Sequence, residues 1–447
     1  MGAMKFSVES VEFFERDVHL RMPFRFGVVT LTGAPQAFVR ARIRLENGVV
    51  SEGAAAEMLV PKWFDKDPAL SNGENFDQLR DSLRTARDAY LSGGADTAWG
   101  HFRAHYRPGL VAGFGPAQLD RALLDALCRA LGASFYDAVR RNAIGATDFD
   151  GLAMPEFLAG LRAGNRIAAR HTVGMVDPVT AADLEGAVDD GLPETLEQVV
   201  ARYGHRYYKL KVGGDLEADI ERLAAIASVL DRMPGAYHAS LDGNEQYEDM
   251  AGVAELWQRM KVDRRLARLV DSVIFIEQPV KRAHALERPV SGIGKPVIID
   301  ESDDSLDAFP RAKELGYLGV SSKTCKGLYK SLVNGARCAL WGPRYMMSGE
   351  DLTIQAGLAL QQDLALVALL GLAHVERNGH HYVNGMAGLP QEEQEAFLGA
   401  HPDLYERSHG AVRLKIRDGE LSIASLGCPG FASAAMPDWN SMTRRMQ

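Results

Sequence analysis

Two hydrophobic rhythms divide this chain. In the first stretch, Phe38-Val39-Arg40-Ala41-Arg42-Ile43-Arg44-Leu45 alternates apolar and polar positions, then Asn47-Gly48 supplies turn residues before Val49-Val50. Alternation around an Asn-Gly pair predicts a β-hairpin. From Phe76 to Tyr90 and from Ala117 to Val139 the spacing becomes helical, with Leu119, Leu123, Leu124, Leu127 and Leu131 on one stripe. Strands followed by helices indicate an α+β unit. From about residue 171 short apolar runs alternate with amphipathic helices. The predicted strands are Thr172–Val176, Tyr207–Val212, His238–Asp242, Val273–Glu277, Pro296–Asp300, Tyr317–Ser321, Arg344–Ser348 and Leu372–Glu376. Between the second and third, Ile220, Leu223, Ile226 and Leu230 share a helix face, and Asp215 is placed to cap it. Eight strand-like runs separated by helices fit a (β/α)8-type barrel, with a doubly wound sheet as the alternative.

Composition narrows the field without choosing. The 447 residues are 46% apolar and 24% charged, with 50 Lys and Arg against 59 Asp and Glu, a formal charge of −9. An acidic balance argues against nucleic acid or an anionic membrane as partner. Four scattered cysteines, Cys128, Cys325, Cys338 and Cys428, form no CxxC pair, so neither a disulfide framework nor a thiolate zinc site is expected. The N-terminus has no apolar signal core, and the most apolar run, Leu364 to Val375, is too short to span a bilayer. A cytoplasmic protein is the expectation.

Charged residues at the strand ends carry the chemistry. The second strand ends in Lys209-Leu210-Lys211, and residues at i and i+2 share a face. The third ends in Asp242-Gly243-Asn244, the fourth in Glu277-Gln278-Pro279, the fifth in Asp300-Glu301-Ser302 and the sixth in Ser321-Ser322-Lys323. Each residue alone reads as a cap or a turn. Together they recur once per βα unit, which in a barrel brings them to the carboxyl-terminal rim where barrel active sites lie. Three neighbouring carboxylates need a cation, and oxygen ligands without histidine favour Mg²⁺ before Ca²⁺ or Mn²⁺. Lysines beside that ion suit removal of a proton next to a carboxylate: the ion offsets the charge of an enediolate, and Lys209, two residues away, would lower the pKa of Lys211 so that it serves as base, and would also bind the carboxylate.

At these residues the chain resembles the enolase superfamily, in its mandelate racemase/muconate-lactonising branch. The resemblance implies a modified TIM barrel, (β/α)7β, over residues 146–420. An α+β enolase-like N-terminal capping domain would occupy residues 1–145, and a C-terminal segment, 421–447, would return to the cap. It implies Asp242, Glu277 and Asp300 as Mg²⁺ ligands (Mn²⁺ substituting), Lys209, Lys211 and Lys323 as catalytic lysines, Glu301 as support for the last, and Asn244 beside the first ligand. Lys326 competes with Lys323, and strand parity prefers Lys323. No histidine ends strand seven, Met347-Ser348-Gly349-Glu350-Asp351, which favours the lysine-pair branch. The cap candidates are Met22 to Gly27, with Arg25 as a clamp for a distal acid, and Met58 to Asp65, with Lys62, Trp63 and Phe64. Strand eight ends in a polar stretch in which Glu376 is a substrate-binding candidate and His380-His381 reads as a substrate contact or a solvated pair.

The expected activity is Mg²⁺-dependent α-proton abstraction from a small carboxylate through a metal-stabilised enediolate, by a racemase/epimerase or a cycloisomerase. A dehydratase of acid sugars or hydroxy acids could use the same site. A non-enzymatic carboxylate-binding barrel and a metal-dependent hydrolase are the rivals from other classes, and the hydrolase would need histidines that strands two to six do not supply. A homo-oligomer is expected from the resemblance.

Overall fold

The computed structural model describes residues 2–27, 29–378 and 380–445. The alternating segment forms an antiparallel sheet of β1 (Phe6–Phe26), β2 (Val29–Leu45) and β3 (Val50–Met58). Its hairpin turn closes with Leu45 N–H donating to Val49 O at 2.8 Å. The C-terminal strand Thr443–Arg445 pairs with Phe13–Glu15 of β1. Between His19 and Phe24 the register of β1 shifts against β2. Such an irregularity bends a strand, and the final residues of β1 run over the barrel mouth.

Helices cover the other face of the sheet. The periodic stretch read as one helix from Ala117 to Val139 is two, Leu110–Ala130 and Phe135–Arg140. Gly132 at φ +59 turns the chain between them, a conformation glycine adopts without penalty, and Ser134 caps the second helix through Asp137 N. Leu110–Ala130 lies directly on β3, where a Cβ on Gly53 would come within 2.2 Å of Ala126 N and 2.4 Å of Ala122 O. Backbone cannot yield as a side-chain tip does, so Gly53→Ala is expected to destabilise the protein by about 1–3 kcal/mol, measured as a lower denaturant midpoint at unchanged m-value.

The second rhythm forms eight parallel strands: β4 (Arg166–Val173), β5 (Tyr207–Lys211), β6 (His238–Asp242), β7 (Val273–Glu277), β8 (Val297–Ile299), β9 (Gly319–Ser322), β10 (Met346–Gly349) and β11 (His374–Glu376). They pair in sequence order, and β11 pairs with β4. That closure decides between barrel and open sheet. The first strand begins six residues earlier than expected, and a short antiparallel strand, Glu420–Ser422, pairs with its start. Outward residues such as Leu210, Leu241, Ile276, Ile299 and Val320 pack in one apolar cluster with Ile220, Leu223, Ile226 and Leu230 of the helix Leu216–Leu230, which Asp215 caps through Ala218 N at 3.1 Å. The apolar run after Leu364 is the end of a wholly buried helix, Leu358–Leu369, followed by β11. It is apolar all round because protein surrounds it. No helix among the described residues is long and apolar enough to cross a membrane. A continuous core joins the cap to this helix and to Leu328–Trp341, which seats the cap on the barrel rim.

Candidate active site

Strand alternation sends the polar residues inward. Lys209 and Lys211 flank outward Leu210, and Asp242, Glu277 and Asp300 follow outward Leu241, Ile276 and Ile299. All five are buried. Lys209 sits deepest, its Nζ 2.9 Å from Asp242 Oδ2, 2.7 Å from Glu350 Oε2, 3.2 Å from Glu376 Oε2 and 3.0 Å from Glu277 Oε1. Burial opposes its charge, but these four carboxylates outweigh burial and hold it well above the usual lysine range. Lys211, two residues further out, donates to Asp242 Oδ2 at 2.6 Å and to Asn244 Oδ1 at 2.7 Å.

Across the barrel, Lys323 Nζ donates to Asp300 Oδ2 at 2.7 Å. Lys326 also touches Asp300, Oδ1 at 3.1 Å, but it turns away to Ser321 Oγ at 2.7 Å and Asp303 Oδ2 at 3.2 Å. Lys323 lines the cavity under the cap and Lys326 does not. These lysines overcome burial and lower the Asp300 pKa.

The cap roofs this floor with apolar groups. Phe24, Phe26, Leu31, Val60 and Trp63 line the cavity from above, and Lys209, Lys211, Asn244, Lys323, Asp351, Leu352, Thr353 and Glu376 from below and beside. Each outer lysine faces one ring: Lys211 Nζ is 5.7 Å from the centroid of Phe24, and Lys323 Nζ is 4.4 Å from that of Trp63, both in cation–π range. Arg282 ties the Trp63 segment to the barrel by donating to Trp63 O at 2.8 Å and Phe64 O at 3.0 Å while paired with Glu245.

Three expected contacts are placed elsewhere. Arg25 is exposed, because alternation along β1 turns Phe24 and Phe26 toward the cavity and Arg25 away from it. Lys62 is held in its own loop by Asp67 O and Leu70 O. Glu301 accepts from Asn244 Nδ2 at 3.3 Å and lies 3.9 Å from Lys66 Nζ, so its partners are on the Asn244 side of the site and not at Lys323. Burial and the neighbouring Glu245 raise its pKa. Glu376 lines the cavity, held by Thr172 Oγ1 at 2.5 Å and Asn378 Nδ2 at 2.8 Å. Burial opposes its charge, but Lys209, Lys211 and Lys323 keep its pKa well below the usual value. His380 and His381 are both buried, which excludes a solvated pair. Gly379, in the same stretch, lies outside the described residues.

The sequence reading passed over several residues of the site. Glu350, at the end of β10, joins Lys209 and pairs with the buried Arg170 of β4. The strand-end rule that picked out the other carboxylates applies to it equally. Gln278 braces the third carboxylate: its Oε1 accepts from Asp300 N at 2.8 Å and Ser302 N at 3.0 Å, and its Nε2 donates to Ser302 Oγ and Val280 O. Gln278 and Asn244 both hold positive φ, +31 and +39, a cost that surrounding structure sustains.

Asp242, Glu277 and Asp300 supply, from three neighbouring strands, the kind of oxygen donors that could hold a divalent cation. Glu277 Oε2 is buried and, though 2.9 Å from Lys209 Nζ, lacks hydrogen-bond geometry to any partner. Burial first and Glu350 second push the Glu277 pKa well up, so this carboxylate is short of positive charge. Hard oxygen donors of this kind suit Mg²⁺. If Gln278 orients the Asp300 turn, Gln278→Leu is expected to weaken Mg²⁺ binding about 10–100-fold, as loss of a supporting partner does, read by isothermal titration.

A family model described as enolase C-terminal domain-like matches residues 191–431, more than half of the chain. The chain belongs to the enolase superfamily. Members of this superfamily are isomerases and lyases. Among solved structures, the muconate lactonizing enzyme of Pseudomonas fluorescens, complexed with muconolactone, superposes with a TM-score of 0.64 at 19% identity, covering 98% of this chain and 99% of its own. The 2-chloromuconate cycloisomerase of Rhodococcus opacus 1CP gives 0.62 at 18%, covering 97% and 98%. The L-Ala-D/L-Glu epimerase of Bacillus subtilis gives 0.62 at 15%, covering 96% and 99%. At these identities the likeness shows the shared fold. Comparison with curated protein sequences gives no match.

Proposed function

We propose that this enolase-superfamily protein is a Mg²⁺-dependent enzyme that removes the proton α to a carboxylate, as a racemase/epimerase or a cycloisomerase. One observation carries the reading: Lys211 and Lys323 reach a single cavity from strands four apart in a ring of eight, on either side of Asp242, Glu277 and Asp300. The cation held by those three carboxylates would supply positive charge to the substrate carboxylate as the enediolate forms. Lys211 takes the proton on one face, positioned by Asn244. Lys323 faces the other side and returns a proton there, which inverts the centre, or holds the developing charge. Lys209 stays protonated among its carboxylates and fixes their orientation. Phe24, Phe26 and Trp63 exclude water, which lowers the local dielectric and strengthens each charge interaction.

The roof also bears on the substrate. Apolar side chains dominate the cap side of the cavity, whereas a sugar acid would bring several hydroxyls that need partners when buried. That contrast favours a carboxylate with an apolar body, such as an acyl-amino acid, a hydrophobic dipeptide or an unsaturated diacid, over dehydration of a polyhydroxy acid. The test is a panel of these acids and of sugar acids in D₂O with Mg²⁺, followed by NMR. Deuterium at the α-carbon of apolar acids, lost on adding EDTA, is the expected result. Exchange confined to sugar acids would refute the substrate class, and no Mg²⁺-dependent exchange from any acid would refute the reaction.

A further inference from the structure

On the outer wall of the barrel, three buried histidines converge away from the lysines. His171 lies on β4 between Arg170 and Thr172, whose side chains reach Glu350 and Glu376 inside the barrel, so alternation turns His171 outward. His205 precedes β5 and His380 follows β11, the two strands that flank β4. Their exposures are 2%, 0% and 3%. The ring centroids form a near-equilateral triangle with sides of 5.3, 5.5 and 5.5 Å. One nitrogen from each lies within 4.8 Å of the others. Three imidazoles around one tetrahedral ion, at Zn–N distances of about 2.0–2.1 Å, place their centroids about 5 Å apart, close to the spacing of this triangle.

The nitrogens are also chemically available. His205 Nδ1 lies 2.9 Å from Ala169 O and so carries the proton, which leaves Nε2 with a lone pair. That Nε2, His171 Nδ1 and both nitrogens of His380 are buried without a hydrogen-bond partner among the described residues. Native interiors pair more than about nine in ten such groups, and each unpaired one costs about 1–3 kcal/mol. Four in one cluster is the pattern of a ligand set. Burial lowers the pKa of all three rings, that of His205 to about 4, so they are neutral, the ligating form, at physiological pH. Arg21, the cation that faces His380, is paired with Asp190. Imidazole donors select Zn²⁺, Cu²⁺, Ni²⁺ or Co²⁺ and discriminate against Mg²⁺.

We propose that His171, His205 and His380 form a second metal site, for Zn²⁺, behind the barrel wall, with water as the fourth ligand. The ion ties His380, four residues beyond Glu376 at the end of β11, to β4 and β5, and so braces that glutamate at the cavity. The proposal stands whether or not the reaction assigned above is correct. A site this enclosed is loaded as the chain folds, so the test begins from protein unfolded in guanidinium with chelator. The protein is refolded with Zn²⁺ under a large excess of Mg²⁺, then freed of loose metal by gel filtration. One equivalent of zinc by mass spectrometry and a higher melting temperature than protein refolded with Mg²⁺ alone are expected. Co²⁺ in place of Zn²⁺ should give the visible bands of a four-coordinate ion. Glu277→Gln should keep the zinc, and His380→Gln, close in volume, should weaken it by more than about 100-fold. Failure of the unmutated protein to retain zinc would overturn the site without recourse to any variant. So would zinc that is retained by His380→Gln but lost from Glu277→Gln, because it would then sit among the carboxylates.

Discussion

Lys211→Ala lowers the rate of α-proton exchange, for the stereoisomer whose proton faces Lys211, by about 10²–10⁴-fold, the contribution of a positioned general base, with metal affinity nearly unchanged. Lys211 reaches the cavity, hydrogen-bonds Asn244 and sits under Phe24, so the base is lost while Asp242, Glu277 and Asp300 remain. Lys211→Arg should not restore the rate, because a guanidinium stays protonated at any accessible pH. Lys323→Ala separates the two outcomes proposed. In a racemase or epimerase, one stereoisomer keeps exchanging through Lys211 while interconversion stops. In a cycloisomerase, both exchange and turnover fall together, because Lys323 then holds charge and moves no proton. Deuterium incorporation from each stereoisomer, followed by NMR beside product formation, reads all three variants.

Glu277→Gln has the second large effect, a loss of more than about 100-fold in Mg²⁺ affinity, larger than removal of a supporting residue produces. The amide keeps the shape of the side chain and removes its charge. Glu277 is buried, central between β6 and β8, and its Oε2, though near Lys209 Nζ, makes no hydrogen bond among the described residues. The same variant relieves a buried group whose pKa burial and Glu350 push up, so its melting temperature in EDTA should not fall. Weak metal binding with retained stability, measured by titration and thermal denaturation on one sample, distinguishes a lost ligand from a damaged fold.

What could be read beforehand follows from what is periodic. Barrel strands and their terminal charges repeat once per βα unit, so Lys209, Lys211, Asp242, Glu277, Asp300 and Lys323 stood out together, and each points into the barrel. Glu350 obeys the same rule, but its partner Arg170 lies 180 residues away, so nothing beside it in the sequence marks it. The cap is aperiodic where it matters. Alternation within Met22–Gly27 was enough to choose Phe24 and Phe26 over Arg25, once it was known which face of β1 meets the barrel, and the register shift after His19 decides that face. Trp63 and Lys62 are adjacent, yet one roofs the cavity and the other is bound by its own loop. The histidine cluster draws on residues 171, 205 and 380, distant in sequence and joined only because β11 closes on β4. No local pattern marks such a meeting.

The proposed chemistry depends on Asp242, Glu277 and Asp300 holding one divalent cation between Lys211 and Lys323. Crystals grown with Mn²⁺ test it directly through anomalous scattering. One strong peak bounded by those three carboxylates, removed by Mg²⁺ in excess and missing from Asp242→Asn, is expected. A peak at any other set of residues, with none among the three carboxylates, would contradict it.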